Sequence, residues 1–154
     1  MDYETPQFYR VIKYAAAADR DVVDMVSGSP DWDPPDALRE GLHQYADADP
    51  ADFQYPASVG LRGLREEIAQ RRGVGADQII VTNGTGEANH LAMAGGLDAM
   101  SGNEVVLTDP VYPYYAGRAN FLGAETTFVP AAADGHADAE AIADTASEDT
   151  AVIV

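Results

Sequence analysis

The chain has 154 residues, of which 46% are hydrophobic, and its 26 acidic and 9 basic residues give a formal net charge of −17. It contains no cysteine, which excludes disulfides, thiolate catalysis and cysteine-based zinc sites. Its three histidines are widely spaced, so we expect no metal site. A surface this acidic repels nucleic acid, no apolar run reaches the roughly 18 residues of a membrane-spanning helix, and the first residues lack the pattern of a secretion signal. We expect a cytoplasmic protein that binds neither nucleic acid nor membrane.

The acidic residues are scattered along the chain, and Lys13 is the only lysine among the nine basic residues. A dispersed acidic coat is a property of the whole surface and not of a binding tail. This composition resembles that of proteins from salt-loving archaea, in which high salt screens the repulsion between like charges. We therefore expect a halophilic host.

The first third of the chain predicts helices separated by irregular segments. Residues 5–20 are predicted to form a helix, with Thr5 as its cap and Pro6 at its first position. Residues 22–26, an apolar run interrupted by Asp24, predict a strand, and residues 35–46 predict a second helix. Between the two, three prolines and a glycine within eight residues exclude regular structure.

A polar, turn-rich segment over residues 47–60 is the best candidate for a boundary between substructures. The next helix is predicted over residues 61–72 and is expected to end at Gly73. Its spacing of apolar residues predicts a buried stripe on one face. The stripe consists of Leu61, Leu64 and Ile68.

From residue 79 onward, short apolar segments alternate with helical ones. Strands this apolar have no face suited to water, which predicts a mainly parallel sheet covered on both sides and therefore an α/β fold. Because the last predicted strand reaches the end of the sequence, we expect the chain to be a fragment of a longer protein. The predicted strands are residues 79–82, 105–108, 126–129 and 151–154, and the predicted helices are residues 87–100, 114–121 and 137–146.

The strongest local feature is a glycine turn, Gly84, Thr85 and Gly86, between a predicted strand and a predicted helix. The first N–H groups of a helix have no partner within it, and the helix dipole adds partial positive charge there. Glycines let the main chain approach an anion, so the turn can hold a phosphate; an ordinary strand-to-helix turn explains this motif equally well. A P-loop is excluded because no lysine follows, and Asn89 replaces the third glycine of a dinucleotide fingerprint.

An aromatic loop over residues 109–115, with Tyr112, Tyr114 and Tyr115, directly follows the predicted strand at residues 105–108. Ligands of parallel sheets bind beyond the carboxyl ends of the strands, so this loop and the glycine turn can face one site. An aromatic ring there can stack on a flat heteroaromatic ligand. The alternative is that the three rings only pack over the sheet.

Four segments resemble successive signatures of class I/II aminotransferases, in matching order and spacing. The resemblance covers nearly the whole chain and implies a fold type I enzyme that uses pyridoxal 5′-phosphate, with a three-layer sandwich around a mainly parallel sheet. It further implies that residues 1–48 form an N-terminal arm and part of a small domain, and that residues 49–154 form the first part of the large, cofactor-binding domain. The four segments are residues 28–31, Tyr55 followed by residues 60–65, residues 81–88 and residues 109–115.

The resemblance assigns roles to the glycine turn and to the aromatic loop. It implies that Gly84, Thr85 and Gly86 bind the cofactor phosphate and that Tyr112 stacks on the pyridine ring. Many relatives have Ala-Thr or Ser-Gln after the first glycine, where this chain has Thr-Gly. We expect the backbone contacts to survive this change, whereas one side-chain contact at position 86 is lost.

The resemblance also implies contacts outside these segments. Tyr55 is expected to reach the cofactor phosphate of the other subunit of a homodimer, and Gly28 to lie beside the substrate carboxylate. The Schiff-base lysine, the aspartate that pairs with the pyridine nitrogen and the arginine for the substrate carboxylate are expected after Val154. Lys13 precedes every motif and is not a candidate for that lysine. We therefore expect no catalytic residue in this chain.

The expected parent protein transfers an amino group between an amino acid and a 2-oxo acid. Related pyridoxal-phosphate-dependent lyases and decarboxylases share the four segments, so they remain alternatives. A non-catalytic, truncated gene product is a further alternative for the chain as given. A plain nucleotide-binding module is the third, and Asn89 disfavours it.

Overall fold

A computed structural model describes residues 7–154. Contacts between residues divide the chain into two compact units, the first ending at Val81 and the second beginning at Thr82. The predicted helix cap, Thr5 with Pro6, lies outside the described residues. The expected domain boundary at residues 48/49 stays a prediction for the whole protein.

The first unit is built from helices and turns. Its three α-helices confirm the helices predicted in this part of the chain, with bounds that differ by a few residues. The third helix ends as predicted at Gly73, which adopts a left-handed φ of 68° and donates its N–H to the carbonyl of Ala69. The helices are α1 (Gln7–Ala16), α2 (Asp36–Ala46) and α3 (Arg62–Arg72), and two 3₁₀ turns cover Pro50–Phe53 and Ala76–Gln78.

The strand predicted over residues 22–26 is wrong. The carboxylate of Asp24 accepts hydrogen bonds from the backbone N–H groups of Val26 and Ser27, both at 2.9 Å. An aspartate that takes up the N–H groups two and three residues ahead closes a local turn and competes with strand pairing. The apolar side chains of this segment are consequently exposed, Val23 by 85% and Met25 by 88%.

Two further expectations, for the buried face of α3 and for a strand over residues 79–82, are not met. In the predicted stripe of α3, Leu61 and Leu64 are exposed and Ile68 is partly buried, and the residue of α3 that is fully buried is Ala69. Residues 79–82, which lead from the first unit into the second, form no strand of the described sheet. The N–H of Val81 donates to the carbonyl of Val59 at 3.0 Å, which is a loop contact and not a ladder. Apolar patterning predicted burial and pairing, but both require a neighbouring element, and this unit has few.

The second unit confirms the predicted α/β fold with a parallel sheet. Three strands pair in the order β2-β1-β3, and both pairings of the central strand β1 are parallel. Helix α5 packs on β1 and β2, α4 on β3, and α6 on β2. The elements in chain order are α4 (Thr85–Ala99), β1 (Glu104–Asp109), α5 (Pro113–Phe121), β2 (Glu125–Pro130), α6 (Ala139–Thr145) and β3 (Thr150–Ile153).

The core of the second unit lies on the central strand. Val105, Val106 and Leu107 are fully buried, and Val105 and Leu107 pack with the buried Ala119 of α5. Successive side chains of a strand point to opposite faces, so burial of all three means that both faces of β1 are covered. The strand ends at Asp109, whose peptide bond to Pro110 is cis. The aromatic loop therefore begins at the carboxyl edge of the sheet.

Candidate functional site

The glycine turn caps helix α4. Gly84 is the N-cap residue, with φ 86° and ψ 178°, a conformation that is essentially restricted to glycine. A Cβ added at Gly84 would meet no atom within 4 Å, so the space above its α-carbon is open. The N–H groups of Thr85 and Gly86 occupy the first two helical positions, where no carbonyl of the helix can accept from them. Within residues 7–154 no acceptor takes up these two N–H groups, so the turn presents donors beside an open space, which suits an anion.

Glu87 does not fill this space. Its carboxylate turns back and accepts hydrogen bonds from the backbone N–H of Asn83 at 2.5 Å and from the Asn83 side chain at 2.9 Å. The hydrogen bond from the Asn83 backbone, followed by the one from its side chain, lowers the pKa of this carboxyl. Glu87 therefore holds Asn83, the residue that precedes the glycine turn. Its carboxylate does not accept from the N–H groups of Thr85 and Gly86, which remain available to a ligand.

The aromatic loop leads directly into helix α5. Tyr112 is the N-cap residue of α5, and Pro113 starts the helix, a position where the missing N–H of proline costs nothing. The side chain of Tyr112 is half exposed, at 50%. Its ring contacts both tyrosines that follow, with centroids 6.1 Å from each; it is nearly parallel to Tyr114 and nearly perpendicular to Tyr115.

Tyr114 connects the aromatic loop to the glycine turn. Its hydroxyl donates a hydrogen bond of 2.6 Å to the carbonyl of Gly86. On the other side, its ring lies beneath the guanidinium of Arg118, 4.7 Å from the ring centroid. Within the second unit, Tyr112 and Gly86 both contact one residue, Tyr114. The glycine turn itself does not follow a strand of the described sheet, so only the aromatic loop lies at the predicted carboxyl end of a strand.

Sequence reasoning did not identify Tyr114 as a functional residue. The available signal was the absence of a side chain at position 86 together with three tyrosines in one loop. A Cβ on Gly86 would lie 3.0 Å from the Tyr114 hydroxyl oxygen, so the tyrosine hydroxyl occupies space that a side chain at position 86 would need. Such a pairing between residues 28 positions apart becomes visible only in three dimensions.

The other two expected site residues, Gly28 and Tyr55, lie in the first unit. Gly28 has a left-handed φ of 64°, and a Cβ there would meet nothing within 4 Å. The side chain of Tyr55 is fully exposed. Both roles stay predictions.

Among residues 7–154, no group of three or more His, Asp or Glu side chains is arranged to hold a metal ion. His90 packs its ring against Phe121 with centroids 6.1 Å apart. No helix in the described part of the chain is long and apolar enough to cross a membrane.

The fold and the site together define a class of protein. A glycine-capped helix start, linked through Tyr114 to an aromatic ring that follows the carboxyl end of the central strand, suits a ligand that has an anionic group and a flat ring. Residues 20–154 match the family described as aminotransferase class I and II. The chain belongs to this family.

Individual relatives agree with the family assignment. The chain is 32% identical over 123 residues to an LL-diaminopimelate aminotransferase of Nitratidesulfovibrio vulgaris, with 75% of this chain and 31% of the relative covered. It is 30% identical over 115 residues to an aspartate aminotransferase of Thermotoga maritima, with 71% and 29% covered. The solved structure of N-succinyldiaminopimelate aminotransferase from Mycobacterium tuberculosis superposes with a TM-score of 0.77 at 26% identity, covering 98% of this chain and 40% of that one. The chain thus spans about a third of the length of the curated relatives it matches.

Enzymes of this family use pyridoxal 5′-phosphate, and the residues of the second unit fit that group. The cofactor phosphate requires N–H donors that it can reach at the main chain. The N–H groups of Thr85 and Gly86 are such donors, and the open space beside Gly84 gives access to them. Its pyridine ring requires a flat apolar partner, and the half-exposed ring of Tyr112 can provide one. The aromatic loop follows the carboxyl end of β1, the end of the strands at which parallel α/β folds bind their ligands.

Proposed function

We propose that the protein to which this chain belongs transfers an amino group between an amino acid and a 2-oxo acid with pyridoxal 5′-phosphate as cofactor, and that this chain contributes the phosphate cradle and the ring platform. The observation that carries the proposal is Gly84, an uncrowded glycine-only cap at the start of α4, linked through Gly86 and Tyr114 to the ring of Tyr112.

Each residue of this site has a separate part in holding the cofactor. The N–H groups of Thr85 and Gly86 donate to the phosphate, aided by the dipole of α4. The hydroxyl of Thr85 adds one hydrogen bond, worth about 1.5–3 kcal/mol when the acceptor is charged. Tyr112 stacks on the pyridine ring and orients it. The bound cofactor supplies an electron sink for the carbanion chemistry of amino transfer.

Two residues of the first unit have proposed roles of their own. The fully exposed side chain of Tyr55 is suited to reach the cofactor phosphate of a second subunit in a homodimer. Gly28, whose left-handed backbone leaves open space above its α-carbon, is suited to lie beside a substrate carboxylate. In this proposal, residues 1–48 are the arm and part of the small domain, and residues 49–154 begin the large domain.

Cofactor binding is tested on the purified full-length protein. Titration with pyridoxal 5′-phosphate should give a saturable absorbance change, and inorganic phosphate should compete with it. Gly84→Val should abolish both effects, whereas Gly117→Ala, a change at an uncrowded helical position of α5, should leave them unchanged. Full cofactor binding by the Gly84→Val protein would contradict the cradle.

The reaction is tested with a panel of amino donors and 2-oxo acids. LL-diaminopimelate and aspartate are the first donors to try, since similar relatives are named for them. The proposal expects formation of a new amino acid that depends strictly on an added 2-oxo acid. Release of carbon dioxide or ammonia without any 2-oxo acid would instead identify a decarboxylase or a lyase.

A further inference from the structure

Tyr114 contacts both halves of the proposed site at once. Its hydroxyl bonds to the carbonyl of Gly86, in the first turn of the helix that forms the phosphate cradle. Its ring stacks at an interplanar angle of 16° beside Tyr112, the ring platform. Arg118 covers the ring of Tyr114 at 4.7 Å, which leaves it little freedom to turn away.

We propose that Tyr114 is a positioning residue that fixes the distance between the phosphate cradle and the ring platform. This inference rests on the proposed function, because it takes the cofactor phosphate and the cofactor ring as the two groups to be held. A ligand with two linked groups binds more tightly than its parts only when both subsites are held at the matching distance. Tyr114 supplies that constraint through one hydrogen bond at the cradle and one ring contact at the platform.

The space around Gly86 supports this role. A Cβ at position 86 would lie 3.0 Å from the Tyr114 hydroxyl oxygen, so the hydroxyl would have to shift to accommodate a side chain there. Glycine at this position therefore lets Tyr114 approach the main chain of the cradle. The hydroxyl is partly buried at this contact, so water competes with it less than at an exposed site.

The test compares a two-part ligand with its fragments, using the full-length protein. Pyridoxine 5′-phosphate has both groups but no aldehyde, so it reports non-covalent binding; pyridoxine and inorganic phosphate are the fragments. Tyr114→Phe removes the hydroxyl and keeps the ring beside Tyr112 and Arg118. Tyr115→Phe is the matched control, because the Tyr115 hydroxyl makes no hydrogen bond within residues 7–154.

Tyr114→Phe removes the hydrogen bond to the carbonyl of Gly86. The affinity for pyridoxine 5′-phosphate should therefore fall by about two- to tenfold. Both fragments should bind within about twofold of the unchanged protein, since each subsite is intact. Equal weakening of inorganic phosphate would overturn the proposal and make Tyr114 a direct phosphate ligand. Unchanged binding of all three ligands, or equal weakening of all three with a lowered melting temperature, would also overturn it. Failure of the proposed function is recognised separately, because the unchanged protein would then bind pyridoxine 5′-phosphate no better than its fragments.

Discussion

Gly96 in helix α4 lies directly against Val152 in strand β3: a Cβ added to Gly96 would be 2.5 Å from Cγ2 of Val152. Helix and strand can approach this closely only because position 96 has no side chain. The contact fixes the height of α4 above the sheet, and α4 carries the glycine turn at its start. This close contact is therefore one of those that set the position of the glycine turn relative to the sheet.

Substitution at this contact should destabilise the fold, and the preceding glycine offers a matched control. We expect Gly96→Ala to lower the free energy of unfolding by about 1–3 kcal/mol, since the added methyl overpacks the contact. Gly95→Ala, in the same helix but with open space at its α-carbon, should raise it by about 0.5–1 kcal/mol. Urea unfolding of the two variants checks this, and a stabilising Gly96→Ala would contradict the close packing.

Gly84 should resist substitution because of its backbone and not because of crowding. Its φ of 86° with ψ of 178° strains any residue with a Cβ, and the added Cβ would meet no neighbour. Gly84→Ala and Gly84→Val should therefore destabilise by a similar amount, about 1–3 kcal/mol. Denaturant titration of both variants tests this. A much larger loss for valine than for alanine would indicate crowding instead.

Tyr112→Ala should separate ring binding from phosphate binding. If the ring of Tyr112 stacks on the cofactor, its loss should weaken the binding of pyridoxine 5′-phosphate by roughly 1 kcal/mol. The binding of inorganic phosphate should be unaffected. Tyr112→Phe keeps the ring and should retain most of the affinity. Both affinities can be measured by calorimetric titration of the full-length protein, and an equal loss for both ligands would exclude a stacking role.

The second unit could be predicted from the sequence almost element by element. Its strands are short apolar runs between helical segments, and the parallel sheet follows from that alternation. Residues 22–26 have a similar apolar pattern, yet the carboxylate of Asp24 closes a turn there. Residues 79–82 are apolar too, but pairing depends on a neighbour that the segment itself does not specify. Local pattern thus predicted strands well only where an adjacent strand was present.

The site could be predicted in part. Gly84 and Tyr112 stand at positions where a local motif and a resemblance both point to a ligand. The bond from Tyr114 to Gly86 could not be predicted, because it depends on how α4 and α5 lie against each other at the sheet edge. Contacts between residues far apart in the chain are set by packing, which periodicity and motif spacing do not encode.

Glu104 should make the stability of the second unit dependent on pH. Its carboxylate, at the start of the central strand, accepts hydrogen bonds from the hydroxyls of Thr127 in β2 and of Thr150 in β3. These bonds, first that of Thr127 and then that of Thr150, lower the pKa of Glu104. A carboxyl with a lowered folded-state pKa stabilises the fold above its unfolded-state pKa, and that contribution is lost as the pH falls through the folded-state pKa.

Glu104→Gln should therefore reduce the loss of stability on acidification below the ordinary titration range of a glutamate. Glu148→Gln is the control, because the exposed Glu148 carboxylate accepts no hydrogen bond in the described part of the chain. Unfolding curves collected from neutral pH to below this range compare the two. Identical acid sensitivity of the Glu104→Gln and unchanged proteins would contradict the role of the three-strand network.

Salt should stabilise this protein through its dispersed negative charge. A formal net charge of −17 makes the compact state repel itself. The screening length falls from about 10 Å at 0.1 M salt to about 3 Å at 1 M, so most of this repulsion disappears over that range. We expect the melting temperature to rise with sodium or potassium chloride, and to rise less in a variant with four exposed carboxylates changed to amides. The four residues are Asp19, Asp98, Asp144 and Glu148.

Sucrose provides the control, because it stabilises by exclusion from the surface and not by screening. It should raise the melting temperatures of both proteins by equal amounts. A melting temperature indifferent to salt, or an equal salt response in the amide variant, would refute the halophilic interpretation of the composition.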